Sequence, residues 1–312
     1  MNYKDSGVNT QLADSLVNNF LSDYSDQVGK FAARLNTRVR SYSDNLVASV
    51  DGVGTKVLLA KEFKNKTGYP LNNIGKDCVA MVMNDIICEY ASPIMFMDYY
   101  ATGKLNESDF TEVLTGMKEY CDILKVPILG GETAELPGMF KDDAFDVCGF
   151  GLGCKLSEYE FDNIVSGDSV IGLKSSGLHS NGFSLIRNIL NKSPVDDNFI
   201  KTLLEPTRLY YHDMYSFIHN NIKIKGIINV TGGGWSNIDR VIPRDRIEWW
   251  YDPDSYYSLN KLFRWIQKEG DISVEEMYNT FNCGIGMIFI TETIPPEIIP
   301  VDNSIVLGRI NK

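Results

Sequence analysis

Four times along this chain a short apolar run, rich in β-branched or aromatic residues, gives way to a polar turn containing glycine. Residues 46–50 lead into Asp51-Gly52-Val53-Gly54-Thr55-Lys56, and residues 126–129 into Gly130-Gly131-Glu132-Thr133. Residues 168–173 lead into Ser175-Ser176-Gly177-Leu178-His179-Ser180-Asn181-Gly182, and residues 222–230 into Thr231-Gly232-Gly233-Gly234. Strands that end in this way, separated by segments of helical period, restrict the chain to a mixed α/β fold. Further strands are expected at 57–60, 94–100, 145–156 and 283–291. The helical period is clearest at 75–90, where Cys78, Val79, Val82, Ile86 and Ile87 recur at three- and four-residue steps. Other helices are expected at Glu107–Leu124, with Ser108 as its N-cap or just inside it, at 181–190, and as a short turn at 235–242. Pro127 takes the chain out of the second of these helices, and 188–198 reads as a loop.

A length of 312 residues suits two domains. The acidic, turn-rich stretch 156–167 breaks the pattern, so we expect domains at 1–162 and 163–312. The net charge of −11 argues against nucleic acid, whose backbone demands clustered Lys and Arg. An acidic protein that handles a polyanionic nucleotide has to screen that charge locally, with metal ions and backbone amides. No run of apolar residues reaches membrane-spanning length, and the polar opening residues 1–7 lack the apolar core of a signal peptide. The 6 cysteines show no CxxC spacing and mostly sit in apolar runs, as reduced thiols would. A cytoplasmic location is therefore expected.

The turns themselves carry the chemistry. At 51–56 a carboxylate, two glycines, a hydroxyl and an ammonium follow a strand. Glycines let backbone N–H groups approach phosphate oxygens, Asp51 offers a divalent cation hard oxygen, and Lys56 offers charge beyond it. A tight polar turn is the alternative, and the spacing is not that of a P-loop. Asp77 and Asn84 lie seven residues apart on one helix, nearly two full turns, with Asp85 adjacent. Buried carboxylates there would need a cation or an amide; a solvent-facing polar side is the other reading. Asp51, Asp85, Glu132 and Glu135 recur near glycines, a pattern that suits Mg²⁺ and nucleotide phosphates. The loop 175–184 opens a helix, whose N-terminus receives anions, and His179 sits there among hydroxyls and glycines. His212 and His219 lie in a helical stretch and read as structural.

Taken together, these residues resemble aminoimidazole ribonucleotide synthetase, also called phosphoribosylformylglycinamidine cyclo-ligase. The resemblance rests on DGVGTK at 51–56, NDI at 84–86, MDYYATGKL at 97–105 and GGETAELPGMF at 130–140. It continues through SSGLHSNGFSL at 175–185, VTGGG at 230–234 and EMYNTFNCGIGM at 276–287, with YKDSGV at 3–8. The resemblance implies a two-domain α/β subunit and a homodimer in which the N-terminal sheets join in a central barrel. It implies ring closure of formylglycinamidine ribonucleotide, with ATP and Mg²⁺, to aminoimidazole ribonucleotide, ADP and phosphate, in purine synthesis.

In that reading Asp51 and Asp85 hold Mg²⁺, and Asp51 and His179 are catalytic. Gly52, Gly54, Thr55, Lys56, Asn84, Gly130, Gly131, Glu132 and Thr133 bind ATP phosphates; Ser176, Asn181, Asn229, Gly232 and Gly233 bind substrate. The chain departs from the family at Asn229, where histidine is usual, in a glycine-poor segment at 27–33, and in a short C-terminus. Asparagine keeps hydrogen-bonding capacity but carries no charge and cannot act as a general acid. Selenophosphate synthetase and thiamine-monophosphate kinase are the rivals within the superfamily, and a catalytically weakened nucleotide-binding relative is a third reading. The first cysteine is Cys78, too late for N-terminal selenium chemistry.

Overall fold

The computed structural model describes residues 33–34, 46–156, 163–250, 261–302 and 304–311. The blocks at 3–8 and 27–32 lie outside them. The first sheet has the order β1-β2-β5-β3-β4. Its strands are β1 (Ala33–Arg34), β2 (Leu46–Gly52), β3 (Ala91–Thr102), β4 (Ile128–Glu135) and β5 (Phe145–Lys155). Only the β3–β4 pair is parallel. The second sheet is antiparallel throughout, with the order β7-β9-β6-β10-β8. It comprises β6 (Ser169–Lys174), β7 (Ile224–Asn229), β8 (Ile247–Trp249), β9 (Ile285–Thr291) and β10 (Ser304–Ile310). The mixed α/β class read from the sequence is the class observed.

Three helices follow the first sheet's strands: α1 (Lys56–Thr67), α2 (Asn72–Cys88) and α3 (Glu107–Leu124). On β5, Gly149, Gly151 and Gly153 alternate on the buried face. A Cβ on Gly151 would stand 2.7 Å from Val82 and 2.9 Å from Ile86, so bare backbone lets α2 lie directly on the sheet. Around the second sheet stand α4 (Phe183–Leu190), α5 (Asp197–Leu203), α6 (Tyr211–His219), α7 (Lys261–Gly270) and α8 (Val274–Thr280). Strand β9 is buried along its whole length because side chains cover both of its faces. One core cluster runs from the first sheet through Val57, Phe63 and Met83 into Phe183, Leu185, Phe263 and Phe281 of the second half.

The structure corrects several expectations. Residues 57–60 are not a strand but the first turn of α1, whose buried Val57, Leu59, Ala60 and Phe63 follow a helical period that a four-residue window cannot reveal. The cap of α3 is Asn106, whose Oδ1 accepts from the Asp109 amide at 3.0 Å; Ser108 lies inside the first turn and bonds Glu112. Strand β4 does not end at Leu129 but continues through both glycines to Glu135, paired with β3. The expected loop 188–198 is shorter, because α4 runs to Leu190 and Asp196 caps α5. Cys283 and Gly284, both at positive φ, make a turn before β9. Among the described residues no helix is long and apolar enough to cross a membrane, and all six cysteines are free.

Candidate functional site

Strand register lines up Asp51, Gly149, Asp98 and Gly131 in one row across four strands. Gly131 has to be glycine, since a Cβ there would come within 2.5 Å of an Asp98 carboxylate oxygen. Asp51 is the penultimate residue of β2 and accepts a hydrogen bond from the Gly52 amide at 2.7 Å. Burial nevertheless pushes its carboxyl up to about 6, and Asp98 likewise to about 6. Gly54 takes a left-handed φ of 69°, which turns the chain from β2 into α1 at Thr55. The Thr55 hydroxyl lies 3.0 Å from that of Ser184 at the start of α4.

Asp77, Asn84 and Asp85 of α2 face the second half of the chain, not solvent. Asp77 accepts from the amide and hydroxyl of Thr207, at 2.7 and 2.6 Å. Asn84 donates to the Arg208 carbonyl at 2.8 Å and accepts from the Tyr210 amide at 3.2 Å. Its amide is therefore committed to the 207–210 segment. Asp85 accepts from the Asn229 side-chain amide at 2.8 Å, at the point where β7 enters its glycine turn. Burial, with the Asp51 charge adding to it, pushes the Asp85 carboxyl up to about 8.

Three turns of the second half converge beside this seam. Asn282 ties two of them, donating to Gly177 O at 2.9 Å and accepting from the Ser175 hydroxyl at 3.1 Å and the Gly284 amide at 2.8 Å. Asn181 donates to the Thr231 hydroxyl at 3.2 Å, and Gly232 packs against the Asn181 oxygen. Asn237 holds the triple-glycine turn by donating to Gly232 O and Gly234 O, with Gly233 at a φ of 91°. Ser176 is exposed and donates to Pro206 O at 2.6 Å. His179 is 2% exposed, at a φ of 61°, and its Nε2 has no hydrogen-bond partner among the described residues. Burial first, then the Lys56 and Arg208 charges, holds its imidazole down to about 3, so it is neutral at ordinary pH.

The site thus joins Asp51, Thr55, Asp85 and Asn229 to the loops carrying His179, Asn181, Gly232 and Gly233. Lys56 is different: its side chain is wholly buried in the seam. Gly130, Gly131, Glu132 and Thr133 are exposed on the edge strand and reach Asp51 only through the strand row. Sequence reasoning passed over Asp98, although a lone carboxylate inside the apolar strand 95–100 was a signal. It also passed over Asn237, which has none in the sequence alone, and Asn282, which lies inside the 276–287 block that carries the resemblance. Among the described residues no three Asp, Glu, His or Cys side chains converge as a closed cation cage. Two half-buried carboxylates with raised pKa values still fit a magnesium ion, which takes one or two carboxylates and completes its shell with phosphate oxygens and water.

The shifts set a pH dependence. Asp85 has a folded pKa near 8, above its unfolded 3.8, so the folded state holds the extra proton and loses stability as pH rises toward 8. His179 has the opposite sign, losing stability as pH falls below its unfolded 6.5. Without divalent cations, melting temperature is expected to fall between about pH 6.5 and 8.5, and Asp85→Asn to flatten that fall. A wild-type curve that rises over this range would contradict the assignment.

The chain matches the family model described as AIR synthase related protein, N-terminal domain, over residues 31–154. It matches the corresponding C-terminal domain model over residues 165–293. A curated phosphoribosylformylglycinamidine cyclo-ligase from Chromobacterium violaceum is 37% identical over 318 aligned positions, covering 95% of this chain and 88% of that protein. Among solved structures, thiamine monophosphate kinase from Aquifex aeolicus superposes with a TM-score of 0.65 at 15% identity, covering 100% of this chain and 96% of that one. Hydrogenase maturation protein HypE in complex with ATP gives 0.62 at 15% identity, covering 90% and 79%. At such identities these two likenesses speak for the fold alone.

Proposed function

The chain belongs to the AIR synthase related family, and from that premise we propose that it closes the imidazole ring of formylglycinamidine ribonucleotide, giving aminoimidazole ribonucleotide, ADP and phosphate, in purine biosynthesis. The single observation that carries this reading is 37% identity to a cyclo-ligase over 95% of the chain. The kinase and HypE likenesses share only the fold, yet the ATP held by HypE and the phosphate-suited turns here both agree with ATP as co-substrate.

A formamide oxygen is a poor leaving group. Transfer of the ATP γ-phosphoryl to that oxygen makes an imidate phosphate; the amidine nitrogen then attacks the same carbon, and phosphate departs with the oxygen. Asp51 and Asp85 would hold Mg²⁺, which would supply charge neutralisation at the phosphates. Backbone amides of Gly54 and Thr55, with those of Gly130 to Thr133, receive phosphate oxygens, Gly52 supplies the turn whose amide holds Asp51, and Asn84 holds the seam beside them. Ser176, Asn181, Gly232 and Gly233 bind the substrate, while Asn229 holds Asp85 and faces the same space. Neutral His179, buried beneath these loops, sets the 179–182 turn that orients the attacking end. We take 1–162 as the ATP and dimer half and 163–312 as the substrate half, acting in the cytoplasm where its soluble substrates are.

A homodimer is part of the proposal. The outer face of the first sheet carries Val50 and Leu129, 66% and 64% exposed, with Phe150, Met97 and Tyr99 beside them. An apolar sheet face of this kind is buried in a stable assembly. Val50→Glu with Phe150→Glu is expected to convert a dimer to monomer in analytical ultracentrifugation; an unchanged sedimentation coefficient would remove this face from the interface. The function is tested by supplying thiamine monophosphate and formylglycinamidine ribonucleotide in separate ATP reactions. Only the second should yield ADP, and ADP formed with thiamine monophosphate would favour the kinase.

A further inference from the structure

Lys56 ends the glycine turn that opens α1, yet its ammonium is not offered to a ligand. Its Nζ donates to His179 O at 3.0 Å and to Glu205 O at 2.8 Å, and lies 2.7 Å from Asp77 Oδ2. Two carbonyl oxygens accept its protons and the Asp77 carboxylate pairs with its charge, so the ammonium is held on three sides. The Phe183 ring closes over it, 5.4 Å from the nitrogen. Asp77 in turn holds Thr207, whose hydroxyl lies 3.1 Å from that of Ser180. The network therefore grips His179 and Ser180, at the start of the 179–182 turn, from the N-terminal half.

That grip falls on a strained residue. His179 has a φ of 61°, a conformation that side chains with a Cβ avoid unless their surroundings impose it. Its ring is wedged so closely that a Cβ on Gly286 would lie 2.4 Å from His179 Cε1 and 2.1 Å from the Tyr210 hydroxyl. We propose that Lys56 is a positioning residue, fixing the His179 carbonyl and hence the buried imidazole in the substrate half relative to the phosphate turn, instead of a phosphate ligand. The proposal rests on the cyclo-ligase reading. It also explains why a turn suited to phosphate ends in a cation that points away from the ligand: the cation registers the two halves of the site.

A buried ion pair adds little net stability over a neutral replacement of similar volume, whereas removing one partner leaves a buried charge. The test therefore uses the double variant Lys56→Met/Asp77→Asn, in which Asn still accepts from Thr207. Wild-type turnover is measured first, since its absence would count against the cyclo-ligase reading and not against Lys56. Given an active wild type, the double variant should melt close to it and bind ATP within threefold by calorimetry, with kcat down about 10- to 100-fold. Lys56→Arg, which keeps the charge beside Asp77 but displaces the nitrogen from the two carbonyls, should show the same split and serves if the double variant does not fold. Wild-type kcat in either folded variant, or a loss confined to ATP affinity, would overturn the proposal.

Discussion

Asp51→Asn is expected to lower turnover by roughly 10²- to 10³-fold while leaving the fold intact, the scale seen when a preorganised electrostatic contact to a reacting centre is lost. Asparagine has nearly the same shape and still accepts from the Gly52 amide, so the turn into α1 survives. What it lacks is the charge that would meet a dication. Burial raises the Asp51 carboxyl to about 6, which means the folded state strains to keep that charge. Above pH 6 the variant should therefore melt at or above wild type in the absence of Mg²⁺, and Mg²⁺ with ATP should stabilise it less. Activity down with melting up is a combination that a structural role for Asp51 does not produce. Near-normal turnover would remove Asp51 from the cation site.

The second large effect is structural. Helices α2 and α3 touch through glycine: a Cβ on Gly116 would lie 1.8 Å from Asn72 O, and one on Gly75 1.9 Å from Val113 O. Both obstacles are backbone, so neither can swing aside. Gly116→Leu should force the helices apart at a cost of about 3 kcal/mol, the upper end of ordinary overpacking. That corresponds to a fall of about 6–12 °C in melting temperature for a domain of this class. Because α2 carries Asp77, Asn84 and Asp85, turnover should fall as well. A variant that melts within a degree or two of wild type would mean the helices part without penalty, contrary to this packing.

The contrast between these residues explains what was legible in the sequence. Asp51, His179 and Asn229 sit in glycine- and hydroxyl-rich turns whose composition suits ligand contact, and that composition is what singled them out in the sequence. The α/β class followed from strands alternating with helical periods. Residues 57–60 misled because a run of Val, Leu and Ala carries no period until Phe63 is included. Gly130 and Gly131 misled because glycine suits a turn and an exposed edge strand equally, and only the pairing with β3 decides between them. Asp77 and Asn84 were correctly seen to share a helix face, but the partner of that face, the 205–210 segment, lies more than a hundred residues away. Pairings at that separation are set by tertiary packing. For the same reason Lys56 looked like a phosphate ligand, although its three oxygens come from Asp77, His179 and Glu205.

The central claim is that ATP activates the formyl oxygen, which then leaves as phosphate when the ring closes. The most direct measurement starts from formylglycinamidine ribonucleotide labelled with ¹⁸O in the formyl group, incubated with the protein, ATP and Mg²⁺. The account predicts aminoimidazole ribonucleotide and ADP in equal amounts, with the label in inorganic phosphate. Ring closure with the label released to water, or ATP binding without aminoimidazole ribonucleotide, would contradict it.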